Sequence, residues 1–158
     1  MAEEPTPINL VQDHNCFGCG TLNLHGLQLQ LVHDEVLGGV VTRFTPDSRF
    51  EGYGGMVHGG IVSTVLDEVM AWSLYQIGAW GVTAKMEVRY RQPMRIGDAT
   101  IAIGRIVRER GRLFELAGEI RRVEDNALVA EGTATFMRVA PEQAEAWQRR
   151  YITGGSNE

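Results

Sequence analysis

Apolar and polar positions alternate along much of this 158-residue chain, and one long stretch breaks the rhythm. From Val82 the period is two: Ala84, Met86, Val88 and Tyr90 share one face, and Lys85, Glu87, Arg89 and Arg91 share the other. That pattern predicts a half-buried antiparallel strand, closed by Pro93 and the turn Ile96-Gly97-Asp98. Three more strands are predicted over about 99–108, 113–123 and 128–139, separated by Gly111 and the cluster Glu124-Asp125-Asn126. Upstream, Leu27, Leu29 and Leu31 mark one face of a strand over 27–36. After Gly38-Gly39, a second strand runs from Val40 to Phe44. Between the two groups, from about Gly59 to Ile77, Ile61, Val62, Val65, Leu66, Val69, Met70, Trp72 and Leu74 surround a helical axis rather than striping it. A helix apolar on most sides is a buried one. Gly78 and Gly81 stop it, and Pro141 opens a short terminal helix reaching Tyr151. Two strands, one buried helix, four strands and a terminal helix predict an α+β chain, a sheet of about six strands wrapped round one helix.

Composition narrows the class. The length suits one domain. With 44% hydrophobic and 22% charged residues, wholesale disorder is excluded. The net charge of −5 argues against nucleic-acid binding. No apolar run is long enough to span a membrane, and the acidic start Met1-Ala-Glu-Glu-Pro-Thr-Pro7 has no leader-like segment. Two cysteines do not make a secreted disulfide framework, so a cytoplasmic location is expected. Residues 1–13 read as a loose arm, 14–140 as the folded domain, and 141–158 as a short helix and flexible tail.

The chemistry concentrates in Phe50-Glu-Gly-Tyr-Gly-Gly-Met-Val-His58-Gly-Gly-Ile-Val-Ser-Thr-Val-Leu-Asp67-Glu-Val-Met70. Five glycines between positions 52 and 60 allow sharp turns and close approach to a ligand. Gly59 and Gly60 open the helix, where amides lack intrahelical partners and the dipole favours negative charge on a carbonyl oxygen. Asp67 then stands in an otherwise apolar helix, costly unless paired or functional. His58 and Asp67 are nine residues apart, about half a revolution off-face and roughly 13 Å along the axis. If both act in one site, that site is built from two subunits. A homodimer, or a dimer of dimers, is therefore expected.

The string Gly-Met-Val-His58-Gly-Gly-Ile followed by Asp67 resembles the hotdog-fold acyl-CoA thioesterases, in the PaaI-like branch of the 4-hydroxybenzoyl-CoA thioesterase superfamily. The strand Thr83-Ala-Lys-Met-Glu-Val-Arg-Tyr-Arg-Gln-Pro93 with Ile96-Gly-Asp98, and the opening Asn15-Cys-Phe-Gly-Cys-Gly20 with Asn23 and Gly26-Leu27, are also similar to that family. The resemblance implies hydrolysis of an acyl-CoA thioester without metal or cofactor. It puts Asp67 at the catalytic carboxylate, as general base or as nucleophile. Gly59 would donate its amide to the thioester oxygen, with His58 beside it. Thr83 falls where relatives carry a water-holding hydroxyl, although strand parity sets it with Lys85 and Glu87. An asparagine that some relatives have six residues before His-Gly-Gly is Gly52 here.

Gly60, Glu68, Arg89 and Arg91 are the remaining candidate substrate contacts. Glu68 is also a rival base, though its helical position points about 100° from Asp67. Arg89, Arg91 and Arg95, with Lys85, either hold coenzyme A phosphates or form a solvated face. Trp72, Tyr75 and Trp80 either line an acyl pocket or fill core. Cys16-Phe-Gly-Cys19, with His14 and His25 nearby, has zinc-like spacing. A single pair is only half a tetrahedral set, so no metal is expected. Two other readings compete with the hydrolase: a hotdog hydratase or dehydratase, and an acyl-CoA binding protein without turnover.

Overall fold

The computed structural model describes residues 5–154. Six strands form one antiparallel sheet: β1 Val32–Asp34, β2 Gly39–Phe44, β3 Gly81–Tyr90, β4 Thr100–Arg110, β5 Leu113–Arg122 and β6 Leu128–Arg138, in the order β1-β2-β4-β5-β6-β3. Helix α1, Gly59–Ser73, runs across the concave face and ends in a 3₁₀ turn, Leu74–Ile77, closed by left-handed Gly78. Helix α2, Pro141–Gln148, continues into a π turn, Arg149–Thr153. This is the sheet-round-a-helix arrangement expected from the alternation and the resemblance.

A row of glycines lets α1 lie close to the sheet. Gly104, Gly118 and Gly132 are cross-strand partners on β4, β5 and β6. A Cβ at Gly104 would fall 2.2 Å from the Val69 carbonyl oxygen of α1. Above this row Val65, Leu66, Val69 and Met70 are fully buried, packed with Phe114, Leu116, Ile120 and Phe136. The apolar girth of α1 is thus absorbed largely within one chain.

Two expectations meet a different arrangement. The segment predicted as a strand over 27–36 is strand only from Val32. Leu27, Leu29 and Leu31 do point inward, with Gln28 and Gln30 exposed. In place of a neighbouring strand, Leu27 and Leu29 donate their amides to the Phe17 and Gly18 carbonyls, and a side chain serves the groups that follow. Asn9, fully buried, donates from Nδ2 to the Leu29 carbonyl and accepts the Leu31 amide, each at 3.0 Å. The arm predicted as loose is therefore docked over residues 5–13, where Ile8 and Val11 also donate amides to Leu31 and Tyr151. Loop carbonyls of Phe17 and Gly18, the Ile8 amide and one polar side chain together fill the backbone hydrogen bonds that a partner strand would fill, which composition does not reveal. Residues 1–4 and 155–158, expected to be flexible, lie outside the described residues.

Candidate active site

The loop before α1 is folded on itself. Gly52 donates its amide to Met56 at 2.8 Å and His58 donates to Phe50 at 2.9 Å. Gly55 turns left-handed at φ 76° and gives its amide to Glu51 at 2.6 Å. A Cβ at Gly52 would sit 3.0 Å from the His58 Cα, so the loop's two ends cross where a glycine makes room. His58 caps the helix, its Nδ1 accepting the Gly60 amide at 2.9 Å. In a neutral ring that bond places the proton on Nε2. It also corrects the expectation for Gly60, whose amide is occupied by the cap and is not free for substrate. Gly59's amide stands first in the helix, without a partner among the described residues, and points outward with the helix dipole behind it.

Tyr90, which sequence reasoning counted only as part of a strand's apolar face, braces this end. Its hydroxyl donates to the Gly59 carbonyl at 2.9 Å and meets Ser63 Oγ at 2.6 Å. Its place at the end of β3 aims it at the helix start, a tertiary relation that no spacing encodes.

Two turns along α1, Asp67 is half-buried, and Thr83 Oγ1 donates to its Oδ1 at 2.7 Å. Strand parity predicts Thr83 on the side of Lys85 and Glu87. A β-bulge between Thr83 and Lys85 shifts the register against β6 and turns the hydroxyl to the helix. Burial pushes the Asp67 carboxyl above the ordinary carboxylate value, and the Thr83 hydrogen bond pulls partly the other way.

Glu68 faces elsewhere. Its Oε1 accepts from Trp72 Nε1 at 3.1 Å and lies 3.9 Å from Cys16 Sγ. Burial, then the neighbouring Cys16, pushes its carboxyl up to about 7. Cys16 is held down at about 5, chiefly by a hydrogen bond from the Cys19 thiol and then by backbone amides of Cys19 and Gly18. The Cys19 thiol is driven far up by that same bond and by burial. With His14 this group opens on a cavity of ≈ 240 Å³ whose aromatic lining includes Trp72, Tyr75, Trp80 and Trp147. The aromatic residues at the far end of the helix therefore line a cavity.

The candidate arginines separate. Arg91 borders a groove with Gly59, Tyr90 and Met94, and pairs with Glu131. Arg89 borders a different hollow with Arg105, Glu119 and Glu131. Arg95 makes a backbone turn with Asp98, and Lys85 sits 3.5 Å from Glu87. The structure thus joins Gly59, His58 and Gly60 at one end of α1 and Asp67 with Thr83 further along. Glu68 joins the cysteines, not Asp67's hydrogen-bond partner.

Comparison with known proteins bears on what this geometry serves. The family model described as the thioesterase superfamily matches residues 54–141. Acyl-coenzyme A thioesterase THEM4 of Xenopus laevis is 28% identical over 102 residues, 65% of this chain and 46% of that protein. The chain spans about half the length of the curated relatives it matches first. Among solved structures, a Streptococcus mutans protein bound to acetyl CoA superposes with a TM-score of 0.65 at 20% identity, over 71% of this chain and 89% of that one. The E. coli PaaI protein from the phenylacetic acid degradation operon gives a TM-score of 0.65 at 19% identity, over 72% and 81%. At such identities the two superpositions speak for the fold. No helix among the described residues is long and apolar enough to cross a membrane.

Proposed function

The chain belongs to the thioesterase superfamily, and from that membership we propose that it hydrolyses acyl-CoA thioesters to the free acid and coenzyme A. The observation that carries the assignment of roles is the hydrogen bond from Thr83 to Asp67. It fixes one carboxylate oxygen and leaves the other to take a proton from water. Burial raises the carboxyl's basicity, as a general base near neutral pH requires.

In this reading water adds to the thioester carbon as Asp67 accepts its proton. The oxygen that gains charge is held by the Gly59 amide, a preorganised donor that does not move during the reaction. Collapse breaks the carbon–sulfur bond, and the proton passes from Asp67 to the departing coenzyme A sulfur. His58 fixes the helix start through its cap and presents Nε2–H beside it. Arg91, bordering the same groove as Gly59, is the proposed contact for coenzyme A phosphate. Because Gly59 and Asp67 lie eight residues apart along one helix, about 12 Å, the site combines Gly59 of one subunit with Asp67 of the other, and the working protein is a homodimer or a dimer of dimers. The edge strand β3, which among the described residues pairs on one side only, is the surface through which two copies would join.

Thiol release from a panel of short, long and aromatic acyl-CoAs tests the activity. Turnover near or above about 1 s⁻¹ on one class is expected. In Asp67→Asn it should fall by roughly 10²–10⁴-fold while the fold is kept. Unchanged hydrolysis in Asp67→Asn would remove Asp67 as base, and no release from any acyl-CoA would overturn the function.

A further inference from the structure

Beyond the thioester site, the loop 14–20 and the middle of α1 bring together three groups that hydrolysis does not use. Cys16 and Cys19 occupy one tight turn. Gly20 donates its amide back to the Cys16 carbonyl at 2.9 Å, and a Cβ at Gly20 would fall 2.1 Å from the His14 carbonyl oxygen, so only glycine closes the turn. Glu68 enters from α1, fifty-two residues away in sequence. Its carboxylate takes the space that a side chain at position 18 would need, since a Cβ there would lie 2.3 Å from Oε2. The ligand atoms of Cys16, Cys19 and Glu68 all lie within 4.8 Å of one another.

We propose that Cys16, Cys19 and Glu68 bind one divalent ion of the zinc class, tying the N-terminal loop to α1. Two sulfurs and a carboxylate oxygen are ligands that zinc accepts, and the Cys-x-x-Cys spacing is one that its sites use. Ideal bond lengths put sulfur and oxygen about 3.6 Å apart on a tetrahedron's edge. The Cys16–Glu68 separation is 3.9 Å and no pair of the three ligand atoms exceeds 4.8 Å, so side-chain shifts of about 1 Å close the site. The fourth position opens to the cavity that His14 also lines. His14 Nε2 is the one buried side-chain polar atom among the described residues that lacks a partner. A metal-bound water on that side supplies such a partner. A single cysteine pair argues against a metal when only spacing is visible, and the fold supplies the third ligand.

The test uses the full chain, reduced, stripped of metal and titrated with Zn²⁺ and with Co²⁺. One ion per chain is expected, with thiolate-to-cobalt charge-transfer absorption and a higher Tm for the loaded protein. Cys16→Ser and Cys19→Ser should each weaken binding by about 100-fold or more, and Glu68→Gln by at least about 10-fold. In the unsubstituted chain bound Zn²⁺ should also shield both thiols from iodoacetamide, a readout that needs no variant to fold. Less than one ion per chain at saturation, full alkylation of the thiols in the presence of Zn²⁺, or undiminished binding in Cys16→Ser and Cys19→Ser would overturn the proposal. None of these readouts depends on turnover, so the site and the hydrolase reading stand or fall separately.

Discussion

Replacing Thr83 by valine removes the hydroxyl that holds Asp67 Oδ1 and keeps the side chain's shape. That hydrogen bond lowers the Asp67 pKa while burial raises it, so its loss drives the carboxyl higher still. As the proposed base, Asp67 works only when ionised. The acid limb of the kcat/KM profile should therefore move to higher pH in Thr83→Val, and a profile that stays in place would detach Thr83 from Asp67. Stability follows the same sign. A carboxyl whose folded pKa is raised contributes stability in full below its unfolded value of 3.8 and loses it as pH rises through the folded one. At the other end of the site, Gly59→Pro removes the donor hydrogen and puts a ring methylene in its place. Proline is accepted at the first helical position, His58 before it is extended at ψ 133°, and a Cβ at Gly59 meets Tyr90 no closer than 3.5 Å. The variant should fold normally and lose about 10²–10³-fold in kcat, the usual cost of an oxyanion donor. Asp67 was readable from sequence because a carboxylate inside an apolar helix is conspicuous. The Thr83 contact was not, because a bulge inverted the parity on which its face was judged.

At the scale of elements, the glycine on β4 sets how near helix and sheet can come. Gly104→Ala places a methyl 2.2 Å from backbone of α1, which cannot swing aside as a side chain can. Gly118→Ala meets side-chain atoms of Met70 and Leu66 at 3.3–3.4 Å and the Ile103 carbonyl oxygen at 3.3 Å, contacts that small shifts relieve. Thermal unfolding should show Gly104→Ala losing about 1–3 kcal/mol or more, and Gly118→Ala losing less. Equal losses would mean that the helix does not rest on β4 as described. The elements themselves were legible where two signals agreed. β3 to β6 pair a clean alternation with turn residues between them, and α1 joins apolar girth to a glycine stop at Gly78. Legibility failed at 27–31, where inward leucines were real but the backbone partners were loop carbonyls, the Ile8 amide and the Asn9 side chain. Alternation reports which way side chains face and is silent on what satisfies the amides.

At the scale of the whole molecule, β3 is an edge of the sheet among the described residues, ten residues long and carrying exposed Val82 and Tyr90. If two copies pair there and share each site, two dead variants should rescue each other. Asp67→Asn and Gly59→Pro, unfolded and refolded together, would form mixed dimers with one intact site, giving about one quarter of the wild-type rate. No recovery on mixing would place the whole site within a single chain. The fold was legible at this scale because the order of elements allows few wrappings, whereas the pairing of Glu68 with Cys16 and Cys19 depends on tertiary proximity alone. The docked arm carries a further consequence. Val11 donates its amide to Tyr151, and Arg150 donates to the Asp13 carbonyl, so the early and late parts of the described chain meet at one corner. Each of the two segments is thus partly held by the other, so a change that frees one from this corner would loosen the other as well.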